Sequence, residues 1–140
     1  MSDMSRPVPV PDERSAPYWE AATAHELVIA RCSHCGTYAH PPDIVCAHCH
    51  HPDTAFEFVS VSGQGTVRSW TVMHQSFLPG FDDLPFVLVD VELDEQADLR
   101  TIGRLVDGPD APLALGARVH VAFEDLAPGV SVPAFALDQP

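Results

Sequence analysis

The sequence predicts a mainly β chain in which a metal-held ribbon precedes a small, partly open barrel, and three observations carry that expectation. All four cysteines fall in one stretch with the spacing C-x2-C-x10-C-x2-C, at Cys32, Cys35, Cys46 and Cys49. After Val59, short β-rich runs alternate with Gly, Pro and Asp turns, without a convincing helix between them. The length, 140 residues, allows one core and a small satellite.

Taken in order, residues 1–14 carry Pro7, Pro9 and Pro11 among small and charged residues and read as a flexible tail. Ser15 is placed as the N-cap of a short helix with Pro17 in its first turn, so 15–27 forms the helical segment, about two turns long. Tyr18 and Trp19 offer more aromatic surface than such a helix can bury by itself. They pack on the body of the chain or dock a partner, and both are candidate interface residues. Leu27-Val28-Ile29-Ala30 is an apolar strand leading into the first cysteine pair, and the ribbon spans 28–58, closed by Phe56-Glu57-Phe58.

The remainder, 59–137, holds five expected strands at 66–74, 86–93, 99–105, 118–123 and 132–137. In 118–123 the alternation is clean, Val119, Val121 and Phe123 facing one way and Arg118 and His120 the other. The run from Phe86 is almost continuously apolar, as in a strand covered on both faces. Gly63 and Gly65 bracket the start of the first long strand, and Gly103 interrupts a later one, the mark of a bulge or barrel bend. Strand number and length fit a five-stranded OB-fold barrel best.

A C-x2-C pair turns two sulfurs to one side of a tight turn, and two such pairs complete the tetrahedral thiolate cage that structural zinc prefers. Four sulfur ligands fill the coordination sphere, leaving no position for water or substrate, so hydrolytic zinc chemistry is disfavoured. Iron in the same cage is the chemical rival, since Cys32-Ser33-His34-Cys35-Gly36-Thr37-Tyr38 has a rubredoxin-like form; nothing nearby marks a redox partner. His34, His40, His48, His50 and His51 crowd the ribbon and read as solvated loop residues, because four cysteines already satisfy the ion.

Twenty acids against seven arginines and no lysine give a net charge of −13. Such a surface repels nucleic acid, whose affinity rests on cations displacing counterions. No apolar run approaches a membrane span, and the first residues lack the apolar core of a secretory signal, so the expectation is a cytoplasmic protein. The candidate ligand face is 69–81, with Arg68 before it. Trp70 can stack on a flat ring and Arg68 can meet a phosphate, with His74, Phe77 and Phe81 beside a Pro-Gly loop. The competing reading makes Trp70 barrel core and Arg68 a surface charge. No catalytic residue is assigned: His74 lacks an identifiable orienting partner, and no cysteine is free of the metal set.

Several pieces recur in a recognisable order: Pro17-Tyr18-Trp19, Leu27-Val28-Ile29-Ala30-Arg31-Cys32, Pro41-Pro42, Val61-Ser62-Gly63-Gln64-Gly65-Thr66-Val67, Ser69-Trp70-Thr71-Val72, Pro79-Gly80-Phe81 and Val91-Glu92-Leu93-Asp94. Together they resemble the zinc-ribbon/OB-fold family of acyl-CoA-associated accessory proteins, long catalogued as a domain of unknown function, over residues 15 to 137. The resemblance implies a non-catalytic subunit with structural zinc. Its implied partners are thiolase-fold, hydratase or aldolase enzymes working on acyl-CoA, in steroid and lipid degradation or polyketide metabolism, where the subunit helps hold the CoA moiety. One departure is His50 after Cys49, where the family commonly has glycine; histidine accepts the left-handed conformation at modest cost. Two other classes stand beside this reading. A single-strand nucleic-acid binder is opposed by the charge, and a stand-alone thioester enzyme lacks a G-x-S-x-G motif.

Overall fold

The computed structural model describes residues 6–138. Helix α1 covers Ala16–Thr23. Its start is tied by Asp12 rather than by Ser15: the Asp12 carboxylate accepts the N–H groups of Arg14 (3.0 Å) and Ser15 (2.8 Å), and Ser15 makes no side-chain cap. The helix ends where His25 turns left-handed, φ 58°. There Glu26 N–H reaches Ala21 O and His25 N–H reaches Ala22 O, which satisfies carbonyls the helix leaves unpaired.

The ribbon is a three-stranded antiparallel sheet of β1 (Val28–Cys32), β2 (Tyr38–Ala39) and β3 (Phe56–Ser60), in the order β2-β1-β3. The second sheet holds β4 (Gln64–Met73), β5 (Phe86–Leu93), β6 (Arg100–Arg104), β7 (Arg118–Ala127) and β8 (Val130–Leu137), in the order β6-β5-β4-β7-β8. All five expected strands are present, with β7 extended to Ala127 and β8 beginning at Val130. The barrel is not closed by a ladder. Its edges β6 and β8 approach through one parallel bridge, Leu105 to Phe135, and a Val106 N–H to Phe135 O bond of 2.9 Å.

Inside, Val67, Val89, Val91, Leu93, Leu105, Val119 and Phe135 are fully buried, each removing apolar surface worth about 1.5–3 kcal/mol. Leu27 and Ile29 from the ribbon side join the same cluster, so ribbon and barrel share one core. Val119, Val121 and Phe123 face inward as the alternation requires.

Two expectations are corrected. Gly103 is not a bulge: the β5–β6 ladder is regular there, and a Cβ would sit 3.0 Å from the Phe135 ring, so glycine permits the close approach of β8. Ladder irregularities lie instead at Arg68, between Val67 and Ser69, and at Leu126, between Asp125 and Ala127. Strand β5 is covered on one face; Leu88, Asp90 and Glu92 on the other are only half-buried. Of the expected tail's described residues, Val8 and Val10 are exposed, while Arg6 makes contacts with the body. Arg6 donates to Glu124 at 3.0 Å and lies over the Phe81 ring at 5.0 Å. Residues 1–5 of that segment lie outside the described residues.

Candidate metal centre and projecting hairpin

The two cysteine turns are built alike. Gly36 N–H closes the first onto Cys32 O and His50 N–H closes the second onto Cys46 O, each at 2.9 Å. Both closing residues are left-handed, Gly36 at φ 79° and His50 at φ 56°, so histidine takes the backbone role of glycine in the second turn. The four Sγ atoms lie within 4.8 Å of one another, with Cys32–Cys49 at 3.8 Å and Cys35–Cys46 at 3.6 Å. A tetrahedron with zinc–sulfur bonds of about 2.3 Å has edges of about 3.8 Å. The donor set and spacing therefore fit zinc.

Electrostatics make the same demand. The Thr37 hydroxyl and backbone N–H hold the Cys35 thiol down to about 5. For Cys49 the His51 N–H pulls downward, but burial and the sulfurs of Cys35, Cys32 and Cys46 outweigh it and push the thiol up to about 11. Four thiolates this close cannot all ionise without a dication among them, and a bound divalent metal reverses the balance. Among the described residues no histidine, aspartate or glutamate joins the cluster. His34 and His51 stack on each other at 3.9 Å. His40 is half-buried against Tyr18 rather than solvated, and burial lowers its pKa.

Ribbon and barrel are joined by the β5–β6 turn. The Gln96 side chain accepts Tyr38 N–H (2.9 Å) and donates to Tyr38 O (3.1 Å), while Glu95 accepts Ser62 N–H at 2.8 Å. A glutamine side chain paired with a backbone 58 residues away leaves no mark in sequence.

The candidate ligand residues are not brought into one pocket. Trp70 is opposite Val89 in the ladder and therefore shares its core-side face, but remains 40% exposed because the β4–β5 hairpin projects beyond the barrel. It is neither core nor fully free. Arg68 is exposed at the bulge with Glu92 at 3.7 Å. His74 and Phe77 follow at the hairpin end, both exposed, Phe77 at 95%. Phe81 is on the opposite face, stacked on Phe86 at 5.4 Å in a groove that also takes in Arg6, Arg104 and Leu126. Tyr18 packs against the shared core, the first of the two readings its helix allows, and burial pushes its phenol up to about 12. Trp19 is half-buried, edge-on to Tyr18, and lines a groove of about 180 Å³ with Pro9, Pro11 and Val130.

Other chemistry-bearing groups are present. Asp125 accepts from Ser131 Oγ at 2.5 Å and pairs with His25 Nε2 at 2.7 Å. The carboxylate stands between serine and histidine, so this cluster is not a relay that takes the serine proton. Five arginines face carboxylates: Arg6 and Glu124, Arg68 and Glu92, Arg100 and Asp90, Arg104 and Asp83, and Arg118 in a bidentate pair with Asp94. Among the described residues no helix is long and apolar enough to cross a membrane.

Two family models match the chain: the rubredoxin-like zinc ribbon domain of ChsH2 over residues 19–55, and its C-terminal OB-fold domain over residues 58–124. A Thermomonospora curvata protein named probable enoyl-CoA hydratase alpha subunit is 34% identical over 93% of the chain, which spans 39% of that relative's length. A Methanocaldococcus jannaschii DUF35 domain-containing scaffold protein is 32% identical, over 69% of the chain and 67% of the relative. Among solved structures, one named Ltp2-ChsH2(DUF35) aldolase superposes with a TM-score of 0.80 at 32% identity, covering 92% of this chain and 98% of that one.

Proposed function

The chain belongs to the ChsH2 family of DUF35 zinc-ribbon and OB-fold proteins, and from that premise we propose that it is a non-catalytic accessory subunit of an acyl-CoA-processing enzyme, a thiolase-fold protein, hydratase or aldolase. The names of its relatives support the enzyme class: a hydratase alpha subunit, a scaffold protein and the DUF35 component of an aldolase.

The observation that carries the reading is the saturated cage. All four cysteines face one another, so the chain's strongest nucleophiles are committed to holding the ribbon. Zinc there supplies coordination energy that orders the two turns, and bond-making chemistry falls to the partner. The ion-paired arginines weigh against a nucleic-acid role, since few cations remain to meet phosphates.

Contact with CoA is the finer part of the proposal and falls to the projecting hairpin. Trp70 offers an aromatic face for a purine, and Arg68 is held only by an exposed pair of 3.7 Å that a phosphate can displace. His74 and Phe77 extend that surface; Phe81 does not, because it faces the other way.

The test is affinity capture of the tagged full-length chain from its source cells, with bound proteins identified by mass spectrometry. A near-stoichiometric thiolase-fold, hydratase or aldolase subunit is the expected result. Recovery of the chain alone, binding acyl-CoA unaided, would overturn the accessory reading.

A further inference from the structure

Strand β4 is paired on one side throughout and on the other for only part of its length. It meets β5 from Gly65 to Met73, but β7 only at Gln64, Gly65 and Thr66. Val67 is the last position covered, by bonds to Gly116 and Ala117. Past the Arg68 bulge, the side of residues 68–73 facing away from β5 carries no paired strand among the described residues. At about 3.4 Å per residue, this is about 20 Å of backbone with free N–H and C=O groups.

Natural sheets protect such edges with charged side chains, proline, bulges or a covering loop. Here the bulge and the exposed charge of Arg68 guard only the start of the edge. Residues 69–73 contain no charged residue and no proline. The loop after β4 is drawn the other way, by Phe81 stacking on Phe86 and by the Asp83–Arg104 pair. Trp70 and Val72 remain 40% and 37% exposed beside the edge, and Phe77 and Leu78 at the loop are more exposed still. An unprotected edge flanked by alternate apolar side chains is the surface that strand addition uses.

Charge decides between occupants. A second copy would bring another net −13 against the first. A segment of a different protein with cationic flanks meets no such repulsion. We infer that residues 68–73 receive an extended segment of the partner enzyme subunit as an added strand, its alternate apolar side chains against Trp70 and Val72 and its flanks basic. This inference rests on the accessory-subunit reading and names its docking surface.

The probe is the enzyme subunit captured with the full-length chain, identified by mass spectrometry and re-expressed. Amide hydrogen exchange is read on the free chain and on the complex, and affinity is measured for wild type, Val72→Lys, Trp70→Ala and an Ile44→Lys control on the ribbon. Val72 and Trp70 lie outside the fully buried core, so both variants should stay folded with full zinc content at a somewhat lowered melting temperature, and affinity is read well below that midpoint. The expected result is slowed exchange within 68–73 on complex formation, with affinity lowered about ten-fold or more by either hairpin change and unchanged by the control. A complex with unaltered exchange at 68–73 and full affinity for Val72→Lys overturns this inference and leaves the accessory role standing. Failure of the wild-type chain to bind any acyl-CoA enzyme subunit overturns both. A homodimer that Val72→Lys disperses would assign the edge to a second copy, which also overturns it.

Discussion

Replacing Cys46 with serine should cost the chain its metal and a large part of its stability. Between residues 33 and 55 the only buried apolar side chain is Cys46 itself, 3% exposed. That loop therefore has no core of its own, and its order rests on the cage. Structural zinc contributes about 10–16 kcal/mol in isolated ribbon-like peptides, against a global stability of about 5–15 kcal/mol for an ordinary domain. A serine hydroxyl is a poorer zinc ligand than a thiolate, and the three remaining sulfurs cannot close the tetrahedron. Loss of even about 3 kcal/mol lowers the melting midpoint of a domain this size by roughly 10 °C. Because Leu27 and Ile29 join the barrel core while, of residues 33–55, only Tyr38 packs against it, the damage should be local at first. Limited proteolysis should cut within 33–55 before the barrel melts. The assays are zinc content by elemental mass spectrometry and calorimetry with and without chelator. Full zinc occupancy in the serine variant, with an unchanged midpoint, would refute the reasoning.

Three further outcomes follow from the packing. Gly65→Ala places a methyl 2.4 Å from Val91 Cγ1 and 2.7 Å from the Glu92 carbonyl oxygen; since the carbonyl belongs to the β4–β5 ladder, denaturant titration should show a loss of about 1–3 kcal/mol, and no loss would mean the strands separate freely there. Gln96→Ala removes both side-chain partners of the Tyr38 backbone, at about 1–3 kcal/mol, and should speed hydrogen exchange at the Tyr38 amide; unaltered exchange would deny the turn its joining role. Burial raises the Tyr18 pKa to about 12 from its ordinary 10.0, so the folded state holds this proton more tightly than the unfolded one. Its contribution is fully present below pH 10 and is lost as pH rises through about 12. Ultraviolet titration of phenolate should show a late component that Tyr18→Phe removes, and a component ionising near pH 10 in the folded protein would contradict the burial.

Much of this architecture is legible in the residues because it rests on short-range periodicity. The cysteine spacing defines the cage without reference to anything else in the chain, and His50 in the left-handed turn follows from its place after Cys49. Strand β5 spans 86–93 as its apolar run indicates, and the alternation of Val119, Val121 and Phe123 identifies the inward face of β7. What stays hidden depends on pairs far apart in sequence. Gly103 looks like a bulge until Phe135 is seen against it, and Trp70 is ambiguous until the ladder shows how far β4 runs past β7. Tyr18 reads as core only slightly ahead of interface, because a two-turn helix carries too little pattern to say what covers it. Arg6 reads as tail because its partner, Glu124, is 118 residues away.

The central claim, that this chain supports a partner's chemistry rather than performing its own, is tested most directly by reconstitution. Turnover of acyl-CoA is measured for the purified partner enzyme alone, for this chain alone, and for the two mixed at equal concentration. The account predicts turnover that depends on the mixture, with none from the zinc-loaded chain by itself. A partner equally active and equally stable without this chain, or turnover by the chain alone, would contradict it.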